Sequence, residues 1–264
     1  YVMDVLFDVT RKSDWEFCLI GVEYVIHLAG HLDQYDTDTD FSRYIDVNVK
    51  SVSLLFEVIA ENNLPIKKII VASSQSVYGD YPELEYEIYK ATPISMYGAS
   101  KAAMEHILLT LGKNCGIPVA ALRYSIVLGP GQKFKDVDSR IVPAFIDMAR
   151  RGEIFIHENG FQKRDFINIH DLVEAHLLFL EKGEGVYNVG SGQCTEVIEV
   201  ANYIAEKFGA KVIPTGRKRI NTARNQLMNI DKIKSLGWMP RLGWKEAVDE
   251  FMKESESSLT PGSS

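Results

Sequence analysis

The sequence is poor in cysteine and has no long apolar run. Its 264 residues include three cysteines, Cys18, Cys115 and Cys194, which lie far apart and form no C-x-x-C pair. An odd number of widely spaced thiols argues against a disulfide framework and favours a reducing compartment. No apolar run approaches the ~20 residues of a membrane span, and no basic segment followed by an apolar one opens the sequence. We therefore predict a cytoplasmic protein with no membrane partner.

Positive charge is also in deficit. The formal net charge is -7, so the chain lacks the basic excess that holds nucleic acid, and we predict no nucleic-acid partner. The six histidines have neither the i, i+4 spacing nor the acidic partners of a zinc site, and we assign no metal. A hydrophobic share of 46% over this length is enough to bury a large core.

Short apolar runs alternate with helical patterns along the first half of the chain. This alternation is typical of an α/β fold with a largely parallel sheet that is buried on both faces by helices. Beyond Gly129 the pattern is less regular, which indicates a smaller second part. The predicted strands span 2–7, 24–29, 68–73 and 119–124, and the predicted helices span 13–20, 39–62, 97–115, 142–151, 171–181, 197–208 and 244–253.

Tyr97 and Lys101 stand at the start of a long helical pattern, after a strand that ends in serines. Four residues apart on a helix, two side chains share one face, so the ammonium can lower the pKa of the phenol. An ionised tyrosine can take a proton from a hydroxyl group at neutral pH, and Ser74 would orient the same oxygen. This spacing predicts a site for redox chemistry on a hydroxyl group, with an ordinary helix-surface pair as the alternative.

The Tyr-x-x-x-Lys spacing occurs at two other places. Tyr86 with Lys90 lies in a connecting segment that runs into a proline, and Tyr203 with Lys207 lies on a late amphipathic helix. Neither pair follows a strand that carries serines at its end. We interpret both as coincidences of spacing.

Motifs that accompany the Tyr97–Lys101 pair occur in a fixed order along nearly the whole chain. They are Asp8-Val9-Thr10, Leu28-Ala29-Gly30, Asn48-Val49, residues 73–79 and 97–101, Leu122-Arg123-Tyr124, Gly129-Pro130-Gly131, Arg164-Asp165-Phe166, and residues 187–192 and 236–240. With these motifs the sequence resembles the extended short-chain dehydrogenase/reductase family, and within it the NAD-dependent nucleotide-sugar epimerases and dehydratases, such as UDP-glucose 4-epimerase.

This resemblance implies a Rossmann-like α/β fold, NAD as the cofactor and a nucleotide sugar as the substrate. It divides the chain into an NAD-binding domain at 1–127, to which 164–190 returns, and a substrate-binding part at 128–163 and 191–264. It also implies a homodimer, formed by the helices at 39–62 and 97–115.

The resemblance assigns roles to single residues as well. The catalytic residues would be Ser74, Tyr97 and Lys101. The cofactor-binding residues would be Asp8, Leu28, Ala29, Gly30, Asn48, Ser73, Tyr97, Lys101 and Tyr124. The substrate-binding residues would be Ser74, Gln75, Ser76, Ile126, Arg164 and Arg219.

Local departures from the family pattern favour one reaction. Gln75 and Ser76 stand where a 4,6-dehydratase needs an acid and a carboxylate, and neither side chain can serve as a general acid or base. We therefore predict epimerisation of a UDP- or dTDP-hexose at C4 through a transient keto intermediate. Ile126 replaces an asparagine that often touches the sugar. A reductase or decarboxylase on the same scaffold stays open, as does a catalytically inactive protein that binds nucleotide sugar.

One expected element is missing: no G-x-G-x-x-G or G-x-x-G-x-x-G occurs. In a dinucleotide fold this loop follows the first strand and brings the backbone against the pyrophosphate. The sequence starts at what resembles the third strand, so the central first strand is lacking and two strand edges would be exposed. A segment preceding this sequence is the explanation we favour. A different strand order and strands from a second chain are the alternatives.

Overall fold

A computed structural model describes residues 4–32, 40–80, 84–132, 141–217, 223 and 225–257. Helices and parallel strands alternate along much of this chain. The strands are β1 (Tyr24–His27), β2 (Lys68–Ser74), β3 (Val119–Tyr124), β4 (Ile126–Leu128), β5 (Glu153–Ile156), β6 (Lys163–Arg164), β7 (Phe166–Asn168), β8 (Gly185–Val189), β9 (Thr195–Glu196) and β10 (Lys211–Pro214).

Eleven helical segments accompany these strands in the described part of the chain. They are α1 (Lys12–Cys18), α2 (Phe41–Tyr44), a π-helical segment (Ile45–Lys50), α3 (Ser51–Asn62), a 3₁₀ helix (Gln75–Tyr78), α4 (Met96–Cys115), α5 (Ile141–Arg150), α6 (Ile169–Glu181), α7 (Val197–Phe208), α8 (Asp231–Lys234) and α9 (Trp244–Ser257).

A four-stranded sheet with the order β1-β2-β3-β8 forms the centre, and every neighbouring pair in it is parallel. The predicted α/β fold with a largely parallel sheet is therefore confirmed. Because all four strands run the same way, their carboxyl ends meet at one edge. That edge carries the serines of β2 and Tyr124 of β3, which pairs with Ser74 across the sheet.

The sheet is buried on both faces because successive side chains of a strand point to opposite sides. On β2, Ile69 and Val71 join a core formed with α1, α3 and α4. Ile70, between them, joins a second core that includes Leu172 and Phe179 of α6. Every residue of β2 is buried, which explains why its middle, residues 69–72, is apolar without alternation.

A third core lies in the later part of the chain. The parallel pair β5 and β10 packs with α5, α7 and α9 around Ile146, Ile154, Val200 and Phe251. The sequence prediction placed helices in this part of the chain but missed all the strands from β4 to β10. These strands are two to five residues long, too short to show a period against their neighbours.

The predicted strand at 2–7 is wrong for its described residues, 4–7, which form no strand. Val5 and Leu6 are exposed, and no described strand offers their backbone a partner. Phe7 instead stacks edge-on against Trp15, with ring centroids 4.7 Å apart. An isolated strand has no ladder to stabilise it, so residues 4–7 have no regular secondary structure before α1.

The predicted helix at 39–62 is continuous over its described residues, but it is not uniform. It begins as α2, widens into the π-helical segment and continues as α3. Asn63, in the left-handed conformation with φ of 54°, ends it. The widened segment carries Asn48, and such local insertions occur often at functional sites.

Candidate active site

A cavity of about 450 Å³ opens at the carboxyl edge of the central sheet. It is lined by residues from β2, the 3₁₀ helix, α4, β3 and β4, and by residues from the later part of the chain. The structure thus brings most of the predicted site residues together. Those that line the cavity are Leu28, Gly30, Ser73, Ser74, Gln75, Ser76, Tyr97, Lys101, Tyr124, Ile126 and Arg164.

Helix α4 presents Tyr97 and Lys101 to this cavity from its first turns. The Lys101 Nζ lies 5.8 Å from the centroid of the Tyr97 ring and donates a 2.8 Å hydrogen bond to the Ala72 carbonyl oxygen. Lys101 is only 4% exposed. Burial lowers the pKa of its ammonium to about 8, and the charge of Glu105 opposes this effect. The positive charge beside the phenol favours the ionised form of that phenol.

The start of α4 is held in place by its cap and by a glycine. The Ser95 hydroxyl accepts a 3.1 Å hydrogen bond from the backbone N–H of Gly98, as an N-cap serine does. A Cβ at Gly98 would overlap the carbonyl oxygen of Ser76 and would stand 3.0 Å from the Pro93 Cβ. Glycine therefore lets α4 approach the 3₁₀ helix that follows Ser74.

Ser74 ends β2 and caps that 3₁₀ helix. Its hydroxyl accepts from the Ser76 backbone N–H at 3.1 Å and donates to the Ser76 hydroxyl at the same distance. Gln75 is 4% exposed, and its Oε1 has no hydrogen-bond partner among the described residues. Gln75 and Ser76 therefore offer the cavity an amide and a hydroxyl, and neither position carries an acidic side chain.

Asn48 lies behind the cavity wall and ties three segments together. Its side chain accepts from the His31 N–H at 2.6 Å, and donates to the His31 carbonyl and to the Ser100 hydroxyl at 2.9 Å. A Cβ at Gly30 would come within 3.2 Å of Lys101 Nζ and 3.4 Å of Asn48 Oδ1. The chain thus passes closely over the lysine, and glycine keeps the space above it open.

Tyr124 is the second tyrosine of the cavity. Its hydroxyl lies 2.6 Å from Nε2 of His176. Because His176 Nδ1 lies 2.9 Å from the Leu172 carbonyl, which can only accept, Nδ1 carries the proton and Nε2 accepts from Tyr124. Burial, and the neighbouring Tyr97, raise the pKa of Tyr124. Tyr124 thus stays protonated at neutral pH.

Arg164 reaches the cavity from β6. It is buried, and its guanidinium donates to the Lys163 carbonyl at 2.8 Å and to the Ala223 carbonyl at 2.9 Å. These bonds hold the positive charge of Arg164 in the cavity wall, although Arg164 is far from Tyr97 in sequence. Arg219, the second predicted arginine, lies outside the described residues.

Three predicted cofactor residues do not line the cavity. Asp8 lies in an exposed turn, where its carboxylate accepts from the Thr10 N–H and hydroxyl at 3.0 and 2.7 Å. Ala29 is exposed between two residues that do line the cavity, and Asn48 acts from behind the wall. The roles assigned to these residues stay predictions.

The other two Tyr-x-x-x-Lys pairs lie outside the cavity lining. Tyr86 lies in a turn segment before α4. Tyr203, on α7, donates to the Asp249 carboxylate at 2.9 Å, and Lys207 lies 4.5 Å from its ring centroid. The three Tyr-x-x-x-Lys pairs have the same spacing in sequence, and their places in the fold distinguish them.

The sequence interpretation missed several polar residues of the site. Ser95, Ser125, Gln132 and Gln226 line the cavity, and Glu105 forms a buried ion pair beneath it. Glu105 follows Lys101 by one helical turn, a spacing that could have indicated it. No local pattern could have indicated Gln226, because only the tertiary fold brings it to the cavity.

The residues present fit one end of a dinucleotide. The space over Lys101 that Gly30 leaves open, with small side chains at the sheet edge, suits a flat ring and a ribose. The described residues contain no glycine-rich turn between a strand and a helix that would hold a pyrophosphate.

Comparisons with known proteins identify the family of this chain. The model of the NAD dependent epimerase/dehydratase family matches residues 5–190. The dTDP-L-rhamnose 4-epimerase of Burkholderia thailandensis is 27% identical, with 94% of this chain and 79% of that protein covered. The dTDP-D-glucose 4,6-dehydratase of Mus musculus is 29% identical, with 91% and 72% covered.

A solved structure shares the architecture as well. The UDP-glucose 4-epimerase of Thermus thermophilus, in complex with NAD, superposes with a TM-score of 0.84 at 26% identity, with 96% of this chain and 84% of that chain covered. In contrast, the chain spans only 36% of the trifunctional UDP-glucose 4,6-dehydratase/UDP-4-keto-6-deoxy-D-glucose 3,5-epimerase/UDP-4-keto-L-rhamnose-reductase of Arabidopsis thaliana.

The chain belongs to the NAD dependent epimerase/dehydratase family, since the family model matches more than half of it. The predicted resemblance is therefore confirmed, and so is NAD as the cofactor of the family. Epimerases and dehydratases both occur among the relatives. In the part of the chain that is described, no helix has both the length and the apolar character to cross a membrane.

Proposed function

We propose that this chain carries the active site of an NAD-dependent epimerase that acts at C4 of a UDP- or dTDP-hexose. The observation that supports this most is the convergence of Ser74, Tyr97 and Lys101 on one cavity. Gln75 and Ser76, which line the same cavity, cannot act as the general acid and base of an elimination. The names of the relatives support the substrate class, since they include a dTDP-sugar and a UDP-sugar 4-epimerase.

Tyr97 acts as the base that removes the proton of the sugar C4 hydroxyl. The Lys101 ammonium lies close to its ring in a buried environment and favours the ionised form of this phenol. Ser74 donates to the same oxygen as it becomes a carbonyl, which stabilises the charge that develops there. After the keto sugar has rotated, Tyr97 returns the proton to the same oxygen. The overall reaction therefore has no net redox change.

NAD, when bound, supplies the acceptor for the carbon-bound hydrogen and returns it to the other face of the sugar. Lys101 and the open space over Gly30 suit the ribose and nicotinamide end of this cofactor. Arg164 suits the diphosphate of the nucleotide sugar, because a guanidinium bonds phosphate oxygens in pairs.

Dehydration is the competing reaction in this family, and Gln75 and Ser76 argue against it. Elimination of water requires a general acid and a general base beside the catalytic hydroxyl. The buried amide of Gln75 and the hydroxyl of Ser76, bonded to Ser74, supply neither at neutral pH. Gln75 Oε1 instead suits a hydrogen bond from a sugar hydroxyl.

Tyr97→Phe tests this proposal, with Tyr203→Phe as a matched control. Both variants remove a hydroxyl from a tyrosine that precedes a lysine by four residues, but only Tyr97 lines the cavity. We expect Tyr97→Phe to lower kcat by at least about 100-fold, the contribution of a general base, with nucleotide-sugar binding nearly unchanged. Tyr203→Phe should keep the wild-type kcat. Equal turnover in both variants would refute the role of Tyr97.

We further propose a cytoplasmic homodimer formed through α3 and α4. A groove of about 580 Å³ between these helices has apolar lining from Phe56, Ala60, Ile107 and Leu111, which suits the same groove of a second copy. Sedimentation equilibrium of the purified protein should return twice the mass of the chain, and a monomer at micromolar concentration would contradict this part of the proposal.

A further inference from the structure

We propose that Glu105 is a positioning residue of the candidate active site: its buried carboxylate joins the serine end of β2 to α4 and keeps the Lys101 side chain charged. The catalytic meaning of this inference rests on the proposed function. Its test does not, because it follows the lysine itself and requires no substrate.

The carboxylate of Glu105 joins three elements. One oxygen accepts from the Ser73 hydroxyl at 2.5 Å and from Arg123 Nε at 2.9 Å, and the other accepts from an Arg123 terminal nitrogen at 2.7 Å. Glu105 is 1% exposed. A single side chain of α4 therefore fixes β2 at the residue before Ser74 and β3 at the residue before Tyr124.

Glu105 also stands one helical turn beyond Lys101, which places the two side chains on the same face of α4. The Lys101 Nζ donates to the Ala72 carbonyl at 2.8 Å, and Ala72 precedes Ser73. Lys101 and Glu105 thus bond adjacent residues of β2. Any shift of the carboxylate would move the strand end to which the lysine is also attached.

The charge of Glu105 is needed because burial works against a charged Lys101. Removing an ammonium from water favours its neutral form, and the negative charge of Glu105 offsets this. From β1, His27 faces Lys101 and stays neutral, since burial and then the lysine charge lower its pKa to about 4. From β3 come Tyr124, which stays protonated, and Arg123, whose charge Glu105 already pairs.

The chemistry links this charge to turnover. A neutral Lys101 could no longer favour the ionised phenol of Tyr97, so the proton-transfer step would slow. A purely structural ion pair between Glu105 and Arg123 would instead hold the fold together and leave the titration of Lys101 unaffected. The two roles therefore differ in a quantity that can be measured directly.

The test is a pH titration of Lys101 in the full chain. NMR of lysine labelled with ¹³C at its ε carbon monitors this titration. The Lys101 signal is the one that disappears in Lys101→Arg. We expect Glu105→Gln to lower the midpoint of this titration by about one pH unit or more, the effect of losing a close opposite charge. Glu206→Gln, the same change at an exposed position of α7, should leave the midpoint where it is.

Glu105→Gln leaves the Arg123 charge buried without its partner, which can unfold the chain. The double variant Glu105→Gln with Arg123→Met removes both charges and keeps similar volumes, so it provides the second reading. A lowered Lys101 midpoint in the double variant would support the proposal. A midpoint equal to that of the wild type in the folded double variant would overturn it. A lowered midpoint with unchanged turnover would support this proposal and count against the proposed function instead.

Discussion

At the scale of single residues, Glu85 is a buried acid that the proposed mechanism does not use and that has no side-chain hydrogen bond within the described chain. Its exposure is 0%, and neither carboxylate oxygen has a hydrogen-bond partner among the described residues. Burial, and then the charge of Asp165, raise its pKa from 4.5 to about 8, while Arg164 and Arg123 act in the opposite direction. Glu85 is therefore neutral in the folded protein at pH 7.

This raised pKa makes stability depend on pH. In the unfolded chain the Glu85 carboxyl loses its proton near pH 4.5, whereas in the folded chain it keeps that proton up to about pH 8. Between these values the folded state binds more protons, so the free energy of unfolding falls as pH rises. The loss at pH 8 is about 4 kcal/mol if the whole shift is realised.

Glu85→Gln should remove most of this dependence, because the amide resembles the protonated carboxyl in shape and does not titrate. We expect the variant to match the wild type near pH 4.5 and to exceed it in stability at pH 8, as measured by urea unfolding at both values. Glu206→Gln, at an exposed position, should follow the wild type. A Glu85→Gln variant with the same fall in stability as the wild type would contradict this account.

Sequence reasoning could find residues whose role depends on local spacing. Tyr97, Lys101 and Ser74 were predicted because a helix start and a strand end are visible in the chain. Glu85 was not, because its burial depends on Met228, with which it forms an isolated bridge. Contacts between residues so far apart in sequence leave no local pattern to read.

At the scale of elements, α4 is the helix on which the site depends most. It carries Tyr97, Lys101 and Glu105, and its bounds were predicted within one residue. Ser95 at its start and Gly116 at its end are ordinary cap residues, which explains this accuracy. The π-helical segment was not predicted, because no local pattern distinguishes it from an α-helix; its Asn48 contacts His31 and Ser100, which lie far away in sequence.

Gly98→Ala tests the close approach of α4 to the 3₁₀ helix. The added methyl group would overlap the Ser76 carbonyl, so the first turn of α4 must move away from the serines. We expect a loss of about 1–3 kcal/mol in unfolding free energy, typical of overpacking, together with lower turnover. Urea unfolding and the epimerase assay measure the two effects.

Gly116→Ala is the matched control for this change. Gly116 ends the same helix with φ of 68°, and a Cβ there would meet nothing within 4 Å. Gly116→Ala should lower the free energy of unfolding by about 1 kcal/mol, because alanine is disfavoured in the left-handed backbone conformation. Turnover should be unchanged. Full turnover in Gly98→Ala would mean that the close approach does not position Tyr97.

At the scale of the whole molecule, the described chain has a core on each face of the central sheet and a third core in its later part. We propose that residues 1–127, with 164–190 returning, serve the cofactor, and that 128–163 and 191–264 serve the substrate. The pairing of β8 with β3 supports the return of the chain to the central sheet, and the separate core around α5 and α7 supports the second part.

The order of motifs was enough to predict the family and the parallel sheet. It could not predict which strands would find partners. In the described residues β1 is an edge strand, with Tyr24 and Ile26 exposed on one face. The run at 2–7 has the composition of a strand, and its described residues, 4–7, pair with no described strand. Composition indicates the ability to form a strand, whereas pairing depends on the rest of the sheet.

The central claim is C4 epimerisation of a nucleotide sugar by Tyr97 in the cavity. ¹H NMR of UDP- and dTDP-hexoses incubated with the protein and NAD in D₂O tests it most directly. The account predicts that the C4 epimer appears with its C4 hydrogen retained, because Tyr97 exchanges only the hydroxyl proton. Deuterium at C4, or loss of water to a 4-keto-6-deoxy sugar, or no epimer from any of these sugars, would contradict it.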